Sequence, residues 1–201
     1  IEGDFERAVD LYVGMAGSRE GEEAEAFRTS WREDRDPKKS LDLAPQRLGY
    51  ESSMLQHLVK RPDDYVGAFK TLPNSLQLLM VHSIQSLAFN HSLSQRIASG
   101  LSLIEPEEGD LVAPIMANGR IDVGKMAHVS PTNLERCRRN CELGRLVVTG
   151  TLPGRNSSMA EAEPGKHEVA GISQAGLDGV DWIVNRIPRL TTSGTRRALS
   201  V

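Results

Sequence analysis

Residues 81–97 read Val-His-Ser-Ile-Gln-Ser-Leu-Ala-Phe-Asn-His-Ser-Leu-Ser-Gln-Arg-Ile, and this stretch decides how the rest of the chain is interpreted. Its apolar residues recur every three or four positions, which predicts one helix that Asn74 starts and Gly100 ends. Four side chains at spacings of four, three and four lie on one face of that helix. They are Gln85, Phe89, Ser92 and Arg96. Packing alone does not require an amide, a ring, a hydroxyl and a guanidinium in that order.

A second, more apolar face of the same helix is expected to pack on the body of the domain. Its residues are Leu76, Met80, Ile84, Leu87 and Ile97. On the helix alone, two interpretations of the polar stripe stay open. In a packing helix, Arg96 and Asn90 bond to neighbouring backbone, whereas in a functional helix those groups serve a ligand.

Length and composition place the chain among ordinary soluble globular proteins. It has 201 residues, of which 39% are hydrophobic and 25% charged, enough for one substantial core or two small ones. No apolar run approaches a membrane span, and the first residues lack the basic and apolar regions of a signal peptide. The start at Ile1, inside a helix-start pattern, leads us to expect a fragment of a longer protein.

Charge is unevenly distributed along the chain. The net charge of −3 argues against a protein that binds nucleic acid over its whole surface. Acidic residues gather at 20–25 and 105–110, and basic residues gather at two other places. The basic clusters comprise Arg136, Arg138 and Arg139, and then Arg186, Arg189, Arg196 and Arg197. Two interpretations stay open, because such clusters either flank an anionic ligand or are solvated helix faces.

The cysteines and histidines form no recognisable metal or catalytic motif. Cys137 and Cys141 lie four residues apart on a predicted helix, but a zinc site wants four ligands and no second pair follows at a familiar interval. We therefore expect structural thiols, no metal and a reducing cytoplasmic compartment. The five histidines have no serine or cysteine partner at a motif spacing.

The order of the predicted elements gives an α+β fold, helix-rich in its N-terminal part and followed by a small mixed sheet with helices. In the first part, Asp4 caps one helix and Pro62 opens another. Asn118-Gly119 is a turn dipeptide between apolar runs at 111–116 and 121–129, which predicts a β-hairpin. Further predictions are a helix at 130–142, a strand at 146–149, a loop at 151–165 and a last helix at 174–185.

The residue order in the long helix resembles a family signature. Gln85, Ser86, Phe89, Asn90 and Arg96 match the Gln-Ser-x-x-Phe-Asn and Ser-x-Arg of TruD-type tRNA pseudouridine synthases. Four further blocks occur in the order seen in that family. They are Leu72-Pro73, the Glu-Gly-Asp-Leu-Val of 108–112, the Thr-Leu-Pro-Gly of 151–154 and the Ser-Gly-Thr-Arg-Arg-Ala-Leu of 193–199. Their spacing is closer to the archaeal and eukaryotic branch than to the bacterial one.

The resemblance implies the inserted domain of these enzymes with short flanks of the catalytic domain. It implies a helical segment leading from the catalytic domain at 1–49, a TRUD-type insertion domain at 50–190 and a return to the catalytic domain at 191–201. Family members isomerise uridine to pseudouridine in tRNA, at uridine-13, without metal or organic cofactor. The implied partner is tRNA, and the inserted domain forms one wall of the RNA-binding cleft.

The resemblance also implies which side chains serve the RNA. The implied RNA-binding or cleft residues are Arg196, Arg197, Arg96, Asn90, Gln85 and Phe89. Arg196 and Arg197 are expected at phosphates. Arg96 and Asn90 are expected either to line the cleft or to fix the domain junction.

Two departures from the family pattern limit what the resemblance implies. Residues 83–87 read Ser-Ile-Gln-Ser-Leu where the family carries an Ala-Tyr-Gln-Ser-Tyr-type run, so two aromatic rings are missing. The Gly-x-Lys-Asp-type motif that bears the family's catalytic aspartate has no match, because no Lys precedes an Asp in this sequence. We therefore expect no catalytic residue in this chain. The alternative is a free-standing, non-catalytic RNA-binding or scaffold domain of shared ancestry.

Overall fold

The structure, a computed structural model, describes residues 3–200 and confirms the predicted α+β class. The helices are α1 (Phe5–Gly14), α2 (Glu22–Asp34), α3 (Pro37–Asp42), α4 (Gly49–Lys60), α5 (Tyr65–Lys70), α6 (Asn74–Ala98), α7 (Leu134–Glu142) and α8 (Ala162–Gln174). The strands are β1 (Leu111–Pro114), β2 (Ala127–His128), β3 (Leu146–Leu152) and β4 (Thr195–Ala198). Short 3-10 turns lie at Val123–Lys125 and Pro188–Leu190.

The chain divides into two compact units, Ile1–Met80 and Val81–Val201. The division lies inside α6, so one helix supplies residues to both units. The predicted boundaries at 49/50 and 190/191 concern which parts belong to an insertion or to a catalytic domain, and that assignment stays a prediction.

Buried apolar side chains from several helices form the core of the first unit. Among the most buried are Val9, Val13, Ala24, Phe27, Trp31, Met54 and Leu55, which include three residues on the inner face of α2. At its edge the rings of Phe5 and Phe69 meet edge to face with centroids 5.4 Å apart. Apolar spacing in α1, α2 and α4 therefore places their packing faces correctly.

Three of the helices in this unit, α1, α3 and α5, start at side-chain caps. The Asp4 carboxylate accepts from the Arg7 backbone N–H at 2.8 Å, as predicted. The predicted start at Pro62 is wrong, because α5 begins three residues later, where the Asp64 carboxylate accepts from the Gly67 backbone N–H at 2.8 Å. The cap satisfies an otherwise unpaired helix N–H, which fixes the first turn there.

Arg28 ties three helices of this unit together. Its guanidinium donates to the Glu20 carboxylate at 2.6 Å through both Nε and Nη2, and to Glu51 at 3.1 Å. It also donates to the carbonyls of Tyr12 and Val13 at the end of α1, at 3.2 and 2.7 Å. All five of its N–H donors are therefore used, and the cation lies at the carbonyl end of a helix.

The sheet of the second unit has the order β2-β1-β3-β4. Every pairing in it is antiparallel, so the sheet is not the mixed one that we predicted. Leu111 stands opposite Thr149 and Val112 opposite Val148 in the central pair. The predicted hairpin is confirmed, since β1 pairs with β2 and Gly119 supplies a positive φ of 78° in the turn.

Side chains along β3 point alternately to the two faces of the sheet and meet different partners on each face. Val148 lies in a buried cluster with Val112 and with Cys137 of α7. The next residue, Thr149, points the other way and bonds to Arg196, which bonds in turn to Glu168 of α8. Thus α7 covers one face, and α8 lies against the other.

The last predicted helix is wrong in position. The helix of that region is α8, at 162–174, and its first four residues lie in the segment that we predicted as a loop. Gly176 and Gly179, within the predicted helix at 174–185, have φ values of 69° and 66°. Glycine adopts that left-handed conformation readily, and it interrupts a right-handed helix.

The predicted packing face of α6 is also wrong in part. Leu87 and Ile97 are 47% and 55% exposed. Leu87 lies about half a turn of helix away from the buried Gln85, because successive residues are separated by about 100°. No helix in residues 3–200 combines the length and the apolar character that crossing a membrane requires.

Candidate nucleic-acid interface

The polar stripe predicted on α6 exists, and it faces into the second unit. We call these four residues the signature stripe: Gln85, Phe89, Ser92 and Arg96. Each is between 4% and 6% exposed, so the stripe lies against protein in this structure. Its contacts reach three of the other four sequence blocks that carried the family resemblance.

Gln85 joins two loops. Its side-chain amide donates to the carbonyl of Pro153 at 2.7 Å and to the hydroxyl of Thr192 at 3.1 Å. Pro153 follows β3 and Thr192 precedes β4, so one helix side chain holds the ends of two neighbouring strands. Because Gln85 is 5% exposed, losing these bonds would leave buried groups unpaired.

The two loops also interlock through their backbones. We call residues 153–157 and 192–194 the loop pair. The backbone N–H groups of Arg155 and Asn156 donate to the carbonyls of Thr192 and Ser193 at 3.0 and 2.9 Å. A Cβ on Gly154 would lie 2.0 Å from the backbone nitrogen of Gly194. Only glycine permits this approach, so the loop pair has one tightly defined backbone.

Phe89 supports an exposed arginine. The guanidinium carbon of Arg197 lies 5.6 Å from the centre of the Phe89 ring, a cation–π distance. A Cβ on Gly150 would come within 3.0 Å of the same ring, so glycine in β3 makes room for it. Arg197 is exposed and stands opposite Gly150 in the β3–β4 pair. The guanidinium group thus lies near the ring while the side chain remains exposed to solvent.

Arg96 makes a buried ion pair with Asp110. Its Nη1 and Nη2 donate to the two carboxylate oxygens at 2.7 and 2.8 Å, and its Nε donates to the Ser102 carbonyl at 2.7 Å. The side chains of Arg96 and Asp110 are 5% and 2% exposed. The bidentate geometry fixes α6 to the start of β1.

Arg196 is buried on the α8 side of the sheet. Its Nη2 and Nη1 donate to the two carboxylate oxygens of Glu168 at 2.5 and 3.2 Å. The remaining donors bond to the hydroxyl and carbonyl of Thr149 at 2.8 and 2.6 Å and to the Ser158 carbonyl at 2.7 Å. All five N–H groups are used, so none is left for a phosphate.

Glu168 is equally satisfied. Besides Arg196, its oxygens accept from the backbone N–H groups of Thr151 and Ala160 at 3.1 and 2.8 Å. A carboxylate offers about four acceptor sites, and four donors fill them here. The pair is therefore a closed network that fixes β4, β3 and α8 relative to one another.

The predicted site residues thus separate into two groups. Arg197 and Asn90 present exposed side chains. Gln85, Phe89, Arg96 and Arg196 are buried and occupied by protein partners. Contact with RNA stays a prediction for all six, and the geometry of the buried four favours a role in holding the frame.

The first basic cluster is neutralised in part. Arg138 of α7 lies within 3.4 Å of carboxylate oxygens of Glu105, Glu107 and Glu135. One acidic cluster of the sequence therefore meets one basic cluster in space. Of the two interpretations of that basic cluster, this favours a solvated, ion-paired helix face over an anion site.

The two cysteines are not among the residues that contact the signature stripe or the loop pair. Cys137 is buried in the valine cluster beneath α7. Burial raises the pKa of the Cys141 thiol to about 11 and also raises the pKa of Cys137, which keeps both thiols protonated near neutral pH. Across residues 3–200, the structure groups no three His, Cys, Asp or Glu side chains so that they could hold a metal ion.

A small cavity lies between α6, α8 and the sheet. Its volume is about 20 Å³, and Phe89, Arg96, Thr149 and His167 are among its walls. That space suits one small molecule of the size of water. A uridine turned out of its stack needs a far larger pocket, so this cavity is not the place where a base reacts.

A family model described as TruD, tRNA pseudouridine synthase D, matches residues 1–201. The chain belongs to the TruD family. The convergence of the signature stripe, residues 151–154 and residues 193–199 is therefore a convergence of TruD blocks that are distant in sequence.

Individual relatives agree with this assignment. A protein of Methanosarcina acetivorans named probable tRNA pseudouridine synthase D is 36% identical over 197 residues, which cover 98% of this chain and 45% of that protein. A Halobacterium salinarum protein of the same name is 32% identical over 204 residues, covering 99% of the chain and 46% of the relative. The chain thus spans about half the length of these TruD relatives.

A solved TruD structure has the same fold. The crystal structure of a TruD protein from Methanosarcina mazei superposes with a TM-score of 0.92 at 34% identity. The match covers 98% of this chain and 45% of that one. The arrangement of helices and sheet described above is therefore shared with that TruD protein over almost the whole chain.

Sequence reasoning missed two residues that organise the TruD site. Glu168 lies 28 positions from Arg196, between the predicted loop and the predicted last helix, and no spacing rule connects the two. Arg155 follows the Thr-Leu-Pro-Gly block directly. The sequence shows that Arg155 adjoins this block, but it does not show that the Arg155 backbone pairs with the loop at Thr192.

Proposed function

We propose that this chain is part of a tRNA pseudouridine synthase, in which it forms one wall of the cleft that holds the RNA. The observation that carries the proposal is the convergence of three TruD sequence blocks on one end of the β3–β4 pair, where Arg197 is exposed over Phe89. The reaction isomerises a uridine of tRNA to pseudouridine. Uridine-13 stays a prediction from the family resemblance.

In this proposal, the exposed residues contact the RNA and the buried residues hold them in position. Arg197 contacts a phosphate, because its side chain is exposed and its guanidinium group is positioned by the Phe89 ring. Asn90 is exposed on α6 and offers an amide to the RNA. The four buried candidates keep Arg197 in place, since their polar groups are already bonded to protein.

Catalysis needs a group from outside this chain. A TruD aspartate follows a lysine in a Gly-x-Lys-Asp-type motif, and no Lys-Asp pair occurs in the 201 residues. We therefore propose that the chain alone does not isomerise uridine and that a longer protein containing it does. The two free cysteines fit a reducing compartment, so we place that enzyme in the cytoplasm.

A second candidate function rests on the same missing motif. Without a catalytic aspartate, a TruD-type domain would be an RNA-binding or scaffold domain that shares ancestry with the enzymes. Pseudouridine mapping on tRNA separates the two, with this chain and the longer protein that contains it assayed side by side. Pseudouridine formation by the longer protein alone supports the synthase, and none in either sample supports the scaffold.

Arg197→Ala tests the RNA wall directly. Loss of an exposed phosphate contact should weaken tRNA binding roughly three- to tenfold while leaving the melting temperature within a degree or two. Arg197→Lys keeps the charge and should recover most of the affinity. A large loss of thermal stability with unchanged tRNA affinity would contradict the placement of Arg197 in the wall.

A further inference from the structure

We propose that Arg155 and Asn156, at the tip of the loop pair, form a second contact with the phosphate backbone of the same RNA. This inference rests on the proposed function, because it extends the wall that Arg197 begins. Both side chains are exposed. Neither was among the residues that the sequence resemblance implied.

Arg155 lies at the same end of the sheet as the TruD blocks. The Arg155 backbone N–H bonds to Thr192, and the pairing of β3 with β4 continues from there to Gly150 and Arg197. Gly150 stands opposite Arg197, and Arg155 follows Gly150 by five residues, of which the last three lie beyond the end of β3 at Leu152. Five residues span at most about 18 Å. Two cations within that reach match phosphates a few nucleotides apart on one strand.

Rigidity makes the loop suited to binding. Gln85 holds Pro153, the Ser157 hydroxyl donates to the Gly154 carbonyl at 3.1 Å, and Gly154 packs directly on Gly194. The backbone beneath Arg155 is therefore already ordered. Binding then costs only the freedom of the two exposed side chains, and preorganisation of this kind improves affinity.

The charges around the loop favour an anion. Two acidic residues that follow the loop in sequence are paired with cations, since Glu168 bonds to Arg196 in the interior and Glu163 to Lys166. The Asn156 amide adds neutral donors beside the Arg155 cation. Guanidinium and amide groups on an exposed loop are common partners of phosphate oxygens.

The chain supplies a matched control at the other end of the same strand. Arg145 directly precedes β3, whereas Arg155 follows it by three residues, and both arginines are exposed. The seven residues of β3 alone span about 23 Å. Arg145→Ala therefore removes the same charge at a distance from the loop pair.

Binding of fluorescently labelled tRNA by the 201-residue chain, measured as anisotropy across a series of salt concentrations, tests the inference. Arg155→Ala should weaken binding about three- to tenfold and lower the slope of log affinity against log salt by about 0.7 to 0.9. Asn156→Asp should weaken binding more than Asn156→Ala, because it places a carboxylate against phosphate. Arg145→Ala should bind as the unaltered chain does.

Two results would overturn the inference and leave the proposed function intact, and a third would overturn both. If Arg197→Ala weakens tRNA binding and Arg155→Ala does not, the RNA-binding surface includes Arg197 but not the tip of the loop pair. If Arg145→Ala and Arg155→Ala weaken binding equally, general charge rather than the loop carries the affinity. If the unaltered chain does not bind tRNA, the wall itself is wrong and both proposals fall.

Discussion

Two buried arginines, Arg28 and Arg196, show how single residues organise this protein. Each uses all five N–H donors, and each bonds to carboxylates and backbone carbonyls of different elements. A buried ion pair contributes little net stability when compared with apolar residues of the same shape. Removing only one member of the pair is different, because the other charge then stays buried without a partner.

Glu168→Ala should therefore destabilise the chain severely, by about 3–5 kcal/mol, since it leaves the Arg196 guanidinium buried and unpaired. Urea denaturation monitored by circular dichroism measures the change. Glu163→Ala removes an exposed carboxylate from the same helix and should cost less than about 1 kcal/mol. Similar losses for both variants would show that the Glu168 network is not what holds β4 to α8.

At the scale of elements, α6 and the loop pair determine the site together. The stripe at spacings of four, three and four was predicted from the sequence, and the structure confirms it as one buried face. The prediction that Leu87 and Ile97 pack on the domain was wrong, because the polar face takes the inner position. Polar residues can be buried there since each finds a partner on another element.

Gly154→Ala should disrupt the loop pair. Its Cβ would lie 2.0 Å from the Gly194 nitrogen, so the two loops must separate. We expect a loss of about 1–3 kcal/mol and faster hydrogen exchange at the amides of Arg155 and Asn156. Gly49→Ala is the control, because a Cβ there meets nothing within 4 Å. Unchanged exchange at both amides would contradict the interlocked geometry.

At the scale of the whole molecule, the chain consists of two compact units, and each contains a buried arginine that is paired with a carboxylate. The first unit contains carboxylates whose pKa values differ from those of an unfolded chain. The hydrogen bond from Arg28 lowers the pKa of Glu20 below its ordinary 4.5. The hydrogen bond with His57, whose Nε2 lies 2.8 Å from Asp64 Oδ2, lowers the pKa of Asp64 below 3.8.

The stability of the first unit should consequently fall in acid. A carboxyl with a lower pKa when folded binds fewer protons than in the unfolded chain, so stability is full above about pH 4.5 and declines as the pH falls through the folded pKa values. Melting temperatures measured between pH 7 and pH 3 should follow this course. Glu20→Gln and Asp64→Asn should each make the decline shallower, and an unaltered decline would rule out these two groups as its cause.

The sequence by itself determined the fold class, the start of α1, the hairpin and the family. These depend on local periodicity, on caps such as Asp4 and on the order of short blocks, all of which are properties of neighbouring residues. The prediction of a helix at 174–185 was wrong because Gly176 and Gly179 adopt positive φ values, which the sequence pattern does not reveal.

Only the tertiary structure decided what the arginines do. Arg196 and Arg197 are adjacent in sequence and looked equivalent as phosphate ligands. In β4 they point to opposite faces, and Arg196 is buried against Glu168 while Arg197 remains exposed over Phe89. Likewise, nothing local joins Gln85 to Pro153 or Arg155 to Thr192. Such pairings arise when distant segments meet, and the position of those segments depends on the packing of the whole unit.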